Sequence, residues 1–262
     1  MSTGVTGTGR AQVTEKTLRQ DRWWLAPLAT FTVFTAFIVY STWRAVSNAN
    51  YYDTPYLSPF YSPCLSTECV SGSSDFGTPI GFFPLSPALI ILIFPLGFRL
   101  TCYYYRKAYY RAFWFSPPAC AVAEPHGSYT GETRFPLIAQ NIHRYFWYAA
   151  MLVTSVLTFD TVLAFRDEDG DWGHMGLGTV IMIINVALLW LYTLSCHSCR
   201  HIMGGRLRHF SKHPVRYRVW GLASKLNVRH AQYAWVSLFS VALTDLYIYL
   251  LATGQFDDPR FF

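Results

Sequence analysis

Charged residues are scarce in this chain. Asp, Glu, Lys and Arg make up 14% of its 262 residues, whereas hydrophobic residues make up 52%. A soluble domain usually carries about 25% charged residues. The missing charge and the long apolar runs therefore exclude an ordinary soluble domain and predict an integral membrane protein. The formal charge of +6 is divided between the two sides of the membrane, so nucleic-acid binding is not expected.

Two other features are missing. The chain has no Gly-rich turn of the dinucleotide-binding type, so we expect no flavin site in it. A cleavable signal peptide is not expected either, because no small-residue cleavage site follows the first apolar run. Residues 1–20 are polar and rich in Gly and Thr, which predicts a cytoplasmic tail.

Five apolar runs are long enough to cross a hydrocarbon core of about 30 Å. They cover residues 23–43, 85–105, 145–165, 175–195 and 231–251. The predicted fold is thus an all-α integral membrane protein, a five-helix bundle over residues 21–255 with an external tail at 256–262. Pro95 is expected to kink the second helix unless its neighbours satisfy the freed carbonyl.

The basic residues predict the orientation of the bundle. Residues 47–84 contain no Lys or Arg, and the turn at 166–174 holds four acidic residues. Residues 200–229 hold eight Lys or Arg and no acid. By the positive-inside rule the N-terminus is cytoplasmic and the C-terminus is on the other side.

Thiols and imidazoles gather at the predicted cytoplasmic ends of these spans. The candidate metal ligands are Cys102, Cys120, Cys196, Cys199, His143, His197, His201 and His230. On one helical turn, the two cysteines at 196 and 199 would share one face, and the two histidines at 197 and 201 would share another. Soft sulfur with imidazole suits zinc, copper or an iron–sulfur cluster.

Three kinds of centre fit these ligands. A single b-type haem needs two histidines facing each other from different helices, and His143 and His230 would serve. A structural zinc would take two Cys and two His, and a two-iron cluster would take the same mixed set. A stand-alone metal-binding or transport protein is the competing class of function.

Aromatic residues at the same level are candidates for binding the ring of a quinone. They are Tyr103, Tyr110, Trp114, Trp147 and Trp220. An ordinary interfacial belt of aromatic residues explains them equally well.

Other residues fall on the opposite side or within the spans. Cys64 and Cys69 lie in the predicted external loop, where a disulfide is expected, with two free thiols as the alternative. Asp160 and Asp245 are the two acids inside spans. A structural pair with Arg44, or hydrogen bonds to nearby threonines, competes with a functional role for them.

Several unusual runs of sequence resemble one known family. They are LTCYYYRKAYYR at 100–111, PPACAV at 117–122, QNIHRY at 140–145, LSCHSCRH at 194–201 and FSKHPVRY at 210–217. The chain resembles the fused five-span membrane anchor of the actinobacterial type of succinate dehydrogenase, the respiratory complex II. The likeness covers roughly residues 90–250.

This resemblance implies a haem-free anchor with a Rieske-type [2Fe–2S] cluster in the inner (plasma) membrane. The expected partners are membrane lipids, menaquinone or ubiquinone, a flavoprotein subunit that carries FAD, and an iron–sulfur subunit with further clusters. The chain would relay electrons from that subunit to quinone, while succinate binds elsewhere. Its oligomeric state is left open.

The soluble Rieske pattern of Cys-x-His paired with Cys-x-x-His is absent, so the ligands must come from several helices. We expect one thiolate from Cys102 or Cys120 and one from Cys196 or Cys199. The imidazoles would come from the four histidines among the candidate ligands.

Overall fold

The computed structural model describes residues 21–64, 87–107, 119, 122, 135–167 and 169–262. Its elements, in chain order, are α1 (Leu25–Ser47), β1 (Tyr52–Asp53), β2 (Tyr56–Leu57), α2 (Pro87–Thr101), α3 (Tyr103–Lys107), α4 (Phe135–Leu163), α5 (Leu177–Leu194), α6 (His197–Gly204), a 3-10 helix (Phe210–Lys212), α7 (Pro214–Asn227) and α8 (His230–Ala252). The two short strands pair as an antiparallel hairpin.

Four helices of the described chain are long and apolar enough to cross a membrane. They are Leu25–Ser47, Gln140–Leu163, Leu177–Leu194 and His230–Ala252. The predicted all-α membrane protein is therefore confirmed. The second predicted span is represented by α2, which has 15 residues, continues through Pro95 and ends at Thr101. Helix α4, which contains most of the third predicted span, already starts at Phe135.

The basic segment 200–229, expected as a loop, is largely helical. Pro214 occupies the first turn of α7, where its missing N–H costs nothing and its fixed φ suits the helix. This start signal was present in the sequence. Helices α6 and α7 come next in the chain after α5. The basic residues that follow this helix therefore lie largely in regular secondary structure.

The chain divides into two compact units. One contains Met1–Ala36 and Leu100–Ile142, and the other contains Phe37–Arg99 and His143–Phe262. In the first unit the rings of Phe34 and Tyr105 stack with centroids 5.0 Å apart. Arg106 donates to the Gln140 side chain at 2.6 Å in the same unit.

The second unit is built around the pairing of α5 with α8. Its apolar core includes two groups of buried side chains. One contains Tyr56, Ala164, Met182, Ile248 and Leu251, and the other contains Val153, Leu157, Val186 and Leu189. Helices α2 and α4 also approach closely, because a Cβ at Gly97 would lie 2.2 Å from the Phe146 ring. A glycine is therefore required at that crossing.

The two intramembrane acids are structural acceptors. Arg44 Nε donates to Asp245 at 2.8 Å, and both side chains are fully buried. Asp160 accepts a hydrogen bond from the Ser62 hydroxyl. The pairing with Arg44 is confirmed for Asp245. The hydroxyls of the nearby Thr158 and Thr244 donate to carbonyls of their own helices.

The C-terminal residues are bonded to strand β2 and to helix α8. Asp258 accepts hydrogen bonds from Tyr56 at 2.6 Å and from Tyr247 at 2.5 Å. Burial, helped by the bond to Asp258, raises the pKa of Tyr56 to about 12. Tyr56 therefore remains a hydrogen-bond donor at any physiological pH.

Cys64 is disulfide-bonded. Cys69 lies outside the described residues, so its pairing with Cys64 stays a prediction.

Candidate histidine–cysteine site

Cys196 lies at a break between two helices. Helix α5 ends at Leu194, and Cys196 has extended backbone angles, φ −60° and ψ 143°, as the N-cap of α6. Its Sγ accepts a hydrogen bond from the Ser198 N–H at 3.3 Å. The expected single helical turn over residues 196–201 is wrong, because Cys196 precedes the helix that carries Cys199. The break turns the Cys196 thiol into the interior, where the residue has no exposed surface.

His143 of α4 meets this thiol. Its Nε2 lies 3.1 Å from Cys196 Sγ. The imidazole stacks on Phe98 of α2, with centroids 4.7 Å apart and planes 7° apart, and it also hydrogen-bonds the backbone of Phe98. Trp147, one turn further along α4, donates its indole N–H to the Thr193 carbonyl at 2.9 Å. His143 is thus held in one orientation by contacts with α2 and α5.

His230 begins α8 and contacts Ser195, the residue before Cys196. Its Nδ1 lies 2.7 Å from the Ser195 hydroxyl, and its ring stacks on Tyr192 at 5.2 Å and 10°. Ser195 also donates to the Tyr192 carbonyl at 3.1 Å. Because a hydroxyl carries one proton, that donation leaves Ser195 to accept from Nδ1–H. The His230 lone pair is then on Nε2, the form in which a neutral imidazole binds a metal.

His197 completes the group, which we call the histidine–cysteine site: His143, Cys196, His197 and His230. The His197 ring lies edge-on to His230, with centroids 5.9 Å apart. His197 is an exposed residue at the start of α6. Partial burial of its ring, with the nearby Arg200 guanidinium, lowers the pKa of His197. Its imidazole is therefore neutral at physiological pH.

The other predicted ligands fall in different surroundings. His201 is exposed, and its Nδ1 lies 3.0 Å from an Arg144 nitrogen. Cys199 is a buried thiol whose burial raises its pKa. Cys102 is a buried thiol between α2 and α3 in the other unit, and Cys120 lies outside the described residues. No three His, Cys, Asp or Glu side chains within the described ranges converge on a single metal position.

The structure describes three of the five aromatic residues predicted to bind a quinone. Trp147 is buried with its indole bonded to Thr193. Trp220 stacks on Phe210 and on Tyr217 in the basic segment, and these two rings also contact each other. Tyr103 is exposed in α3, whereas Tyr110 and Trp114 lie outside the described residues. Of the described three, Trp147 is the one bonded to the end of α5 beside the histidine–cysteine site.

Sequence reasoning missed the residues that orient the two imidazoles. Phe98 and Tyr192 are apolar positions inside spans, and nothing in their spacing distinguishes them from core residues. Ser195 lies directly before Cys196, but its bond to His230 joins positions 35 apart. Only the packing of α2, α5 and α8 reveals these contacts.

The family of the chain is established by comparison. Residues 25–254 match the model of the actinobacterial succinate dehydrogenase subunit SdhC. The chain belongs to this family. As an SdhC-family protein with several apolar helices, it is a multi-pass subunit of succinate dehydrogenase in the inner membrane. A stand-alone transport or metal-binding protein is therefore excluded.

A solved structure supports the same assignment. The SdhC-family chain is 58% identical to a chain of the Mycobacterium smegmatis Sdh1 complex in the apo form. The similarity covers 100% of both chains, with a TM-score of 0.87. Among curated proteins, none matches the chain.

Proposed function

We propose that this chain is the membrane-anchor and quinone-reducing subunit of a succinate dehydrogenase. It docks the flavoprotein and iron–sulfur subunits and passes their electrons to menaquinone or ubiquinone. Family membership supports the anchor role. The relay role rests on the histidine–cysteine site, in which two buried, oriented imidazoles and a buried thiol come from three different helical regions.

The donor set of this site fits a [2Fe–2S] cluster with mixed ligands. Such a cluster has two irons, one held by two Cys and the other by two His. Three ligands therefore need not converge on a single metal position. His143 and His230 each have a second hydrogen bond that fixes the ring, the arrangement found around metal-bound histidines. We propose these two histidines and Cys196 as ligands. The second thiolate of the proposed ligand set comes from one of three other cysteines, namely Cys102, Cys120 or Cys199.

Each of these side chains has a defined task. His143 and His230 provide nitrogen ligands, and the backbone of Phe98 and the Ser195 hydroxyl hold their rings. Cys196 supplies a thiolate and joins α5 to α6 at the site. When bound, a cluster with imidazole ligands supplies a one-electron carrier whose potential lies some hundreds of millivolts above that of an all-Cys cluster. Such a potential suits a carrier placed directly before quinone.

A single b-type haem between His143 and His230 is the alternative centre. It would need both Nε2 atoms to face one iron across a flat ring. Instead, the Nε2 of His143 faces Cys196 Sγ, which favours a ligand set that includes sulfur.

Metal analysis tests the proposal directly. We expect the intact purified complex to contain two more non-haem iron atoms per anchor than its soluble subunits carry after detachment from this chain. An equal iron content in both samples would show that the anchor holds no iron. A b-type haem absorbance in the intact complex would support the haem alternative instead.

We also propose five spans with a cytoplasmic N-terminus and an external C-terminus. The asymmetry of basic residues supports this orientation, since α6 and α7 belong to a segment without acids. A reporter fused after Phe262 should read as external, and one inserted between Arg206 and Arg208 as cytoplasmic. The opposite pair of results would place the histidine–cysteine site on the wrong side for docking.

A further inference from the structure

Helix α7 carries an apolar stripe that the described part of the chain leaves largely exposed. Val215, Val219, Leu222 and Leu226 follow one another at intervals of four, three and four residues, so they share one face of the helix. Val215, Val219 and Leu222 are 72%, 39% and 61% exposed, and Leu226 is half-buried. Contact with water costs free energy for each of these apolar side chains.

A different face of α7 packs against α6. Trp220 lies so close to Gly204, the last residue of α6, that a Cβ at that position would overlap its ring. Arg200 of α6 donates to the Ser224 hydroxyl at 3.0 Å, and Arg216 donates to three carbonyls at the end of α6. The apolar stripe is therefore not the face that holds α7 in place, and it is available for another contact.

Positive charge lies beside the stripe. Arg218 and Lys225 are both exposed and are seven residues apart, about two helical turns, so they follow the same flank of the stripe. Residues 200–229 contain no acid, so this segment offers the two cations no carboxylate. An apolar stripe with a basic flank is typical of helices that lie in a membrane interface. In such helices the apolar side chains enter the boundary of the acyl chains and the cations attract anionic headgroups.

The end of α7 is fixed to two membrane spans. Asn227, its last residue, donates from its side chain to the carbonyl of Ser195, the residue after α5, at 2.7 Å. Helix α8 begins at His230, after only two intervening residues. Both α5 and α8 are long and apolar enough to cross a membrane. Helix α7 therefore ends where these spans leave the hydrocarbon core, and Val228, the residue after it, is 81% exposed there.

We propose that α7 lies in the membrane interface at this end of the bundle. Its stripe of Val215, Val219 and Leu222 contacts the acyl chains, and Arg218 and Lys225 contact the headgroups of anionic phospholipids. The fixed end of α7 favours the bilayer over a protein partner, because the bilayer is the apolar surface next to the ends of α5 and α8. The inference does not depend on quinone reduction by this chain.

Photo-crosslinking tests the contact. The photoreactive residue p-benzoylphenylalanine replaces Leu222 in the full complex, which is reconstituted into vesicles of phosphatidylcholine and phosphatidylglycerol and then irradiated. The expected product is this chain joined to a phospholipid, identified by its mass. If the Leu222 variant does not assemble, the same probe replaces Val219, which lies on the same stripe.

Tyr217 is the matched control on the same helix. Its side chain is also exposed, but it lies about 140° around the helix from Leu222, away from the stripe. The same probe in place of Tyr217 should give no lipid adduct.

The adducts at Leu222 also test the headgroup. Phosphatidylglycerol should be enriched over its share in the vesicles by roughly fivefold, the equivalent of about 1 kcal/mol for one basic residue near the membrane surface. Combining Arg218→Gln with Lys225→Gln should remove this enrichment while adducts with phosphatidylcholine continue to form.

Three results would overturn the inference. One is an adduct between the stripe and another subunit of the complex, which would show that a protein covers it. Another is an equal yield of lipid adducts from the probes at Leu222 and Tyr217, or no lipid adduct from either. The third is an enrichment of phosphatidylglycerol that is absent from the start or that persists without Arg218 and Lys225.

Discussion

Replacing His143 and His230 together with alanine should abolish succinate:quinone reduction, a loss of at least about 100-fold. Oxidation of succinate by an artificial soluble dye should continue at the wild-type rate, because the succinate site is proposed to lie on a partner subunit. The two imidazoles approach one place from α4 and α8, and each is fixed by a second hydrogen bond. Their removal leaves the proposed centre without nitrogen ligands. Both activities are measured on the same purified complex.

His201→Ala is the matched control for this experiment. His201 was also a predicted ligand, but it is exposed and lies against Arg144. Both activities of this variant should equal those of the wild type. Retention of quinone reduction by the double variant, or its loss in His201→Ala, would assign the relay to residues other than the histidine–cysteine site.

Asp245→Ala should destabilise the chain by about 3–5 kcal/mol, since it leaves a buried guanidinium without its counter-charge. Asp245 accepts from Arg44 Nε at 2.8 Å, from Arg44 Nη2 at 3.3 Å and from Tyr40 at 2.6 Å. The Ser58 hydroxyl donates to it as well. This carboxylate therefore connects α1, α8 and the loop after α1. The expected result is a lower thermal denaturation midpoint and a lower yield of assembled complex.

Two further variants make this result specific. Asp257→Ala removes an exposed acid near the same end of the chain and should leave stability unchanged. The double variant Arg44→Met with Asp245→Leu should recover part of the loss, because a buried ion pair can be replaced by apolar residues of similar volume. A single variant as stable as the wild type would show that Asp245 is not the acceptor that holds Arg44.

The membrane class and the helix positions were predictable because they depend on local sequence. Long uncharged runs lie in the four described helices that are long and apolar enough to cross a membrane. The bounds of α8 agree with the predicted fifth span within one residue at each end. Helix α4 starts ten residues before the third predicted span, and those ten residues include polar positions, among them Gln140 and Asn141. The helical turn expected around Cys196 was wrong. Helix propensity does not reveal that the helix breaks at Cys196 and brings its thiol inside.

The candidate site was only partly predictable. Motifs gave the residue types, and the charge pattern gave the prediction that they share one side of the membrane. The partners of the histidines, however, are distant in sequence. His143 contacts Cys196, 53 positions away, and His230 contacts Ser195, 35 positions away. His197 and His201 are four apart on α6, yet His197 contacts His230 whereas His201 contacts Arg144. Sequence spacing alone does not separate them.

Electron paramagnetic resonance of the reduced complex, with pulsed detection of nitrogen couplings, tests the central claim most directly. The claim is that this chain holds an iron–sulfur centre with histidine ligands. We expect a signal of low average g value with couplings to two histidine nitrogens, and its loss in the His143 and His230 double variant. The signals of the partner's clusters should persist in that variant. A wild-type spectrum with only the partner's signals, identical before and after the double substitution, would contradict the account.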